Sequence, residues 1–257
     1  MNRKGIAELA GSAALGAWAA FAVLALVVSG RGGAPLFLDS GLLNWSVAHR
    51  PAMAVAAARG LTNTGTGLVP YAVVVLAGLL TGRTRRQRLM AALLAAACLA
   101  AGQAVRYGVM KLVDRPRPPS FEWRTEASGW SFPSGHTTTS ALTAGLVILA
   151  LCLRARRGRL PLCLAVGCWG AGVGLTRVFL GVHWFTDVLG GWLFAVGWLG
   201  TCLCAAVWWL PDRLLTGTGG VGAAGEPDHS PDPGTADAPL EKHAPQDPGR
   251  RGRSRPA

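Results

Sequence analysis

The stretch "DVLGGWLFAVGWLGTCLCAAVWW", residues 187–209, decides which solvent this chain lives in. From Val188 to Trp209 it carries no charge, and a helix of about 20 apolar residues crosses the roughly 30 Å of bilayer hydrocarbon. A helix also satisfies its own backbone donors and acceptors, which lipid cannot do. The stretch reads as a transmembrane helix, and similar apolar runs lie at roughly 11–29, 66–82, 89–106, 137–153 and 161–180. Composition agrees, with 51% of the 257 residues hydrophobic, only 15% charged and a mean hydropathy of +0.34. The expected fold is all-α, a polytopic membrane protein with six transmembrane helices in a bundle. The first run follows Arg3 and Lys4 and is not followed by a clean small-residue cleavage site, so Met1–Gly30 reads as a retained anchor rather than a signal peptide.

Charge sets the expected orientation. The connections "GRTRRQR" (82–88) and "RARRGR" (154–159) carry four arginines each. By the positive-inside rule they lie in the cytoplasm, with both termini on the same side. The segments 30–65, 107–136 and 181–186 then face outward. The middle one breaks the rule, because Arg106, Lys111, Arg115, Arg117 and Arg124 lie on or beside it. An anionic ligand is the simplest reason for cations there. The formal net charge is +12, and it sits in the membrane-flanking loops. That placement fits anionic lipid headgroups and not a nucleic acid.

Two further regions are set apart. Residues 35–65 show apolar residues at helical spacing with Asp39 as a plausible cap, and read as a short amphipathic helix on the outer surface. His49 and Arg50 on it read as a solvated pair at headgroup level. Residues 211–257, rich in Gly, Pro, Asp and Ala, cannot bury enough apolar surface to offset their ordering entropy. The division expected is a membrane domain over 1–210 and a disordered cytoplasmic tail over 211–257, and His229 and His243 in that tail are set aside. The six cysteines form no CxxC pair and read as small apolar packing residues.

Three outer segments carry the chemistry: "KLVDRPRPPS" (111–120), "PSGH" (133–136) and "TRVFLGVHWFTD" (176–187). His183 and Asp187 are four residues apart at a helix start, so they share a face. A carboxylate holding one imidazole proton fixes the tautomer and leaves the other nitrogen free as base or nucleophile. The plainer alternative is a structural hydrogen bond that staples the helix start. Arg177, Arg117 and Lys111 shift the balance, since guanidinium forks and an ammonium suit phosphate oxygens. Ser134 and the amides of Gly135 and His136 add donors at a helix N-terminus, where the dipole favours an anion. If His183 attacks phosphorus, a second imidazole must protonate the leaving oxygen and activate water, and His136 is the one placed to do so.

These motifs resemble the type 2 phosphatidic acid phosphatases, or lipid phosphate phosphatases, in their membrane branch. That family's signature is Lys, six residues and RP, then PSGH, then SR, five residues, His, three residues and Asp. Here "PSGH" matches in full and "TRVFLGVHWFTD" matches with Thr176 in place of Ser. In "VMKLVDRPRP" the lysine is one residue out of step, so Met110 stands at the family's lysine position, with Lys111 or Arg106 as its substitute.

The resemblance implies a phosphohistidine on His183, oriented by Asp187, with His136 as acid and then base. It implies that Lys111, Arg117, Ser134, Gly135 and Arg177 hold the phosphoryl group. No metal or other cofactor is expected, since the arginines would repel a cation. The substrate implied is a lipid phosphate in the outer leaflet: phosphatidate, phosphatidylglycerol phosphate or a polyprenyl pyrophosphate such as undecaprenyl pyrophosphate. The alternative is a catalytically weak lipid phosphate binding or transport protein. The expected location is the cell membrane, multi-pass, with the site on the extracytoplasmic side. Oligomeric state is not legible in the sequence.

Overall fold

The computed structural model describes residues 3–154 and 158–209. They form helices α1 (Arg3–Gly30), α2 (Phe37–Ala48), α3 (Ala52–Asn63), α4 (Leu68–Thr81), α5 (Arg85–Val113), α6 (Gly135–Arg154), α7 (Arg159–Phe179) and α8 (Phe185–Trp209), with no strand among the described residues. The expected all-α membrane bundle is the one observed. The tail at 211–257 lies outside the described residues.

Helices α1, α5, α6, α7 and α8 are each long and apolar enough to cross a membrane. The run expected at 66–82 is shorter. Helix α4 has 14 residues, about 21 Å at 1.5 Å per residue. It qualifies only together with α3, to which it is joined at a 52° bend. The count is therefore five spans, or six with the bent pair taken as one.

Residues 35–65 hold two helices rather than one. Pro51 is the cause: it disfavours the helical region for Arg50 and has no N–H to continue the ladder. Helix α2 stops at His49, and α3 begins after Pro51. Arg50 is not solvated as expected. Its side chain is 4% exposed, donating to the Ser46 carbonyl at 3.0 Å and the Glu122 carbonyl at 2.7 Å. It pins the α2–α3 corner to the loop before α6.

Burial is inverted relative to a protein in water. Leu15, Leu26, Leu76, Leu93 and Leu164 are exposed, while Thr137, Thr138, Ser140, Arg115 and Asp187 are buried. Lipid covers the apolar outside, so polar groups must find each other within. Helix α1 packs along α8, and α6 fits against both α7 and α8. Phe21, Phe132 and Phe194 meet at the α1–α8 contact, with ring centroids 5.6 Å apart for Phe21 and Phe132. Close approach of α6 to α8 depends on the Gly190–Gly191 pair. A Cβ on Gly190 would collide with the Phe132 ring, and one on Gly191 would stand 3.2 Å from the Ser134 carbonyl. That approach brings the start of α6 against the start of α8.

Candidate active site

Helix α5 ends where the first motif begins. Asp114 takes a left-handed conformation (φ 43°) that Asp tolerates, its N–H closing on the Met110 carbonyl. Pro116 then keeps Arg115 out of the helix. Arg115 turns inward and becomes fully buried. All five of its N–H groups find acceptors: the Gly33 carbonyl at 3.2 Å, Ala34 carbonyl at 3.3 Å, Asp39 Oδ2 at 2.7 Å, Thr186 Oγ1 at 2.7 Å and Asp187 Oδ1 at 2.7 Å. A buried cation needs such compensation.

Gly181 (φ 74°) makes the tight turn after α7, and a Cβ there would collide with the Glu122 carbonyl. The turn delivers His183 into the interior, 2% exposed. Its Nδ1 lies 3.3 Å from Asp187 Oδ2, and its Nε2 lies 2.9 Å from Arg117 Nη1. An arginine can only donate and an ionised carboxylate can only accept. Nδ1 therefore carries the proton, and Nε2 presents a lone pair. Burial first, then the positive charges of Arg117 and Arg177, hold His183 well below the ordinary histidine pKa.

Arg117 is fixed by carbonyls of its own loop, at Gly129 (2.9 Å), Ser128 (2.8 Å) and Trp130 (3.1 Å), and by Val182 (2.8 Å). The donor left over rests on His183. Arg177, at the end of α7, is 2% exposed. Its Nη1 donates to Thr62 Oγ1 at 3.1 Å, and its Nε finds no acceptor among the described residues.

Ser134 sits immediately before α6, fully buried, with its N–H on the Asp187 carbonyl at 3.1 Å and its Oγ accepting from Thr137 at 3.0 Å. Gly135 and His136 are half-buried. The His136 ring makes no hydrogen bond with the described residues, and Arg177, His183, Arg117 and Arg106 lie within electrostatic range of it.

The first-motif lysine is the exception. Lys111 is exposed, with Nζ over the Tyr107 ring at 5.5 Å from its centroid, and it does not join the cluster. Arg106 does. Its guanidinium, held by Gln103 Oε1 at 3.2 Å and Met110 Sδ at 3.3 Å, lies against Gly135, 3.4 Å from where a Cβ would stand. The site thus gathers His136, His183, Asp187, Ser134, Gly135, Arg106, Arg117 and Arg177. Sequence reasoning left Asp39, Arg115, Thr186 and Thr62 without a role in it.

Comparison with known proteins gives the family and the fold. The PAP2 superfamily model matches residues 91–212. Phosphatidylglycerophosphatase B of Bacillus subtilis (strain 168) is 30% identical over 146 residues, which are 54% of this chain and 68% of that protein. The chain belongs to the PAP2 superfamily. Phosphatidylglycerophosphatase B of Escherichia coli (strain K12) is 35% identical over 92 residues, so this PAP2 chain spans only 33% of that relative's length. A crystal structure of a transmembrane PAP2 type phosphatidylglycerolphosphate phosphatase from Bacillus subtilis matches with a TM-score of 0.61 at 22% identity. The match covers 76% of this chain and 94% of that one, and shows the shared fold. At the coarse level this kinship makes the PAP2 chain a multi-pass membrane phosphatase.

Proposed function

We propose that the chain hydrolyses the phosphate ester or diphosphate of a membrane lipid through a phosphohistidine on His183. The observation that carries this reading is His183 itself, held between Asp187 and Arg117 so that its Nε2 lone pair faces a cluster of guanidiniums. Nε2 attacks phosphorus and forms the N–P bond as the P–O bond to the lipid breaks. Arg117 stays protonated and turns the N–H that rested on Nε2 into a hydrogen bond to a phosphoryl oxygen. Arg177, whose buried Nε lacks an acceptor, takes a second oxygen, and Arg106 takes the part of the family's lysine. Ser134, Gly135 and the start of α6 supply further donors. His136 in its protonated form gives a proton to the leaving oxygen. As the neutral base it then takes one from water, which attacks the phosphohistidine and frees phosphate.

No metal is assigned a role. Among the described residues no three His, Cys, Asp or Glu side chains gather as a metal site requires, and the guanidiniums supply the charge a cation would. The relatives' names favour phosphatidylglycerol phosphate first among substrates, then phosphatidate and polyprenyl pyrophosphate. This reading puts the site on the extracytoplasmic side, which is supported by Arg85, Arg88 and Arg159 flanking the opposite ends of α5 and α7. Both termini then lie in the cytoplasm, with the membrane domain over 1–210 and the tail over 211–257.

The test is release of inorganic phosphate from these three lipids in mixed micelles, with and without chelator, beside His183→Ala. Chelator-resistant turnover by the wild type, lost in the variant, supports the reading. Full activity of the variant, or binding without turnover by the wild type, overturns it.

A further inference from the structure

The helix that carries Asp39 lies outside the stretch matched by the PAP2 model, residues 91–212, yet its carboxylate reaches the base of the catalytic pair. Asp39 is fully buried. One oxygen, Oδ2, accepts from the Leu36 N–H at 2.9 Å at the start of its own helix, and from Arg115 Nη2 at 2.7 Å. The other, Oδ1, accepts from the Thr186 N–H at 2.9 Å. That amide is in the first turn of α8, where backbone donors lack intrahelical partners. One carboxylate therefore caps two helices, α2 and α8, and the second is the helix that carries Asp187. The Thr186 hydroxyl donates to Asp39 at 2.8 Å and accepts from Arg115 at 2.7 Å, closing the ring.

Through that ring Arg115 is shared between two carboxylates, Asp39 on Nη2 and Asp187 on Nη1, each at 2.7 Å with no exposed side-chain surface. Sharing matters to the reaction. A guanidinium paired with Asp187 alone would draw that carboxylate's charge away from the His183 proton. With Asp39 taking half of the fork, the three ions sum to one negative charge beside His183 Nδ1. Asp187 is also held in place, its Oδ2 fixed by the Trp184 N–H at 2.9 Å and its Oδ1 by Arg115.

We propose that Asp39 is a positioning residue for catalysis, which acts through Arg115 to set the orientation and charge of Asp187 and so readies His183 to attack. It rests on the reading of His183 as nucleophile given above. Asp39 touches no substrate. Its effect falls on the chemical step and not on binding.

The charged and titratable groups that face His183 are Asp187 from α8, Arg117 from the loop after α5, Arg177 from α7, Arg106 from α5 and His136 from α6. Four of these are cationic or can become so, and Asp187 alone is anionic, so removal of a negative charge behind it is felt at the imidazole.

The experiment compares Asp39→Asn with wild type and His183→Ala, as full chains in detergent micelles, by phosphate release and thermal melting. Asp39→Asn is expected to lower kcat about ten- to a hundred-fold with KM within two-fold, as befits an interaction that matters only in the transition state. The acid limb of its kcat/KM profile is expected to move to lower pH, because the lost negative charge makes His183 harder to protonate. Thr186→Val keeps the side-chain shape, removes the hydroxyl from the ring, and serves where Asp39→Asn fails to fold. It is expected to lower kcat several-fold in the same sense.

An activity loss that only tracks the folded fraction, with the pH limb unmoved, overturns the proposal, as does a folded variant with unchanged kcat. Those outcomes beside a dead His183→Ala leave the phosphohistidine reading standing. A fully active His183→Ala removes that reading instead.

Discussion

Arg115 and Arg117 are two residues apart in sequence and belong to opposite kinds of site. On the α2–α8 side, Arg115 is sealed from solvent, with two carboxylates and every N–H paired. On the α5–α7 side, Arg106, Arg117 and Arg177 find carbonyls, a hydroxyl, a thioether and an imidazole, and among the described residues no carboxylate within salt-bridge distance. Cations set together without anions raise the energy of the empty site, and binding a phosphate relieves it. Charge that is compensated holds the fold; charge left uncompensated awaits a ligand.

The largest expected effect lies where the two regions meet. His183→Ala removes the proposed nucleophile and should lower phosphate release on the order of 10⁴-fold or more, while the melting temperature stays near that of the wild type. Turnover within ten-fold of wild type would place the chemistry elsewhere.

The next prediction crosses the two arginine environments. Arg115→Gln leaves Asp39 and Asp187 as buried, uncompensated anions, and breaking such a pair costs about 3–5 kcal/mol of stability. Thermal melting should show a large loss. Arg177→Gln removes a cation with an orphan Nε, so stability should hold or rise, while kcat falls on the order of 10²- to 10³-fold through a lost transition-state donor. If both variants lose stability equally, the distinction between the two regions fails.

A smaller effect is expected at the first motif. Arg106→Ala loses one charge-assisted contact, about 1.5–3 kcal/mol, and should lower kcat/KM about ten- to a hundred-fold. Lys111→Ala should stay within two-fold, because that ammonium lies over Tyr107 and away from the cluster. The reverse ranking, measured on the same lipid, would return the role to Lys111.

The legible and the illegible parts divide for physical reasons. Long apolar runs and arginine-rich connections are local signals, so the bundle and its motif-bearing end could be read directly. His136, His183, Asp187 and Arg177 stand at fixed spacings within single motifs, and they do converge. The Asp39–Arg115–Asp187 chain joins positions 76 and 72 residues apart, and no local pattern announces such a pairing. Asp39 showed a capping signal because it does accept the Leu36 N–H, but that signal hid its second partner. Lys111 misled through its residue type: a one-residue step turns a helix by about 100°, which aimed Lys111 outward and left the inward path to Arg106. The burial of Arg50 is illegible for the same reason, because beside the local Ser46 carbonyl its acceptors lie on Glu122, 72 residues away.

The finest way to sharpen the comparison is to titrate it. In kcat/KM the acid limb reports groups of the free enzyme, and the nucleophile must be neutral to attack. Burial, Arg117 and Arg177 lower the pKa of His183, so acidification through the ordinary histidine value of about 6.5 should leave His183 unprotonated. Its limb should appear only at lower pH. Arg117→Gln removes the nearest of those charges, so the limb should move upward but stay below the ordinary value, because burial persists. The shift should be under about one pH unit, and comparing the two enzymes on one substrate cancels the ionisation of the phosphate itself. Lys111→Ala should leave the limb where it is. A limb that moves downward in Arg117→Gln would mean that the guanidinium does not press on His183, and that the uncompensated charge is screened before any ligand arrives.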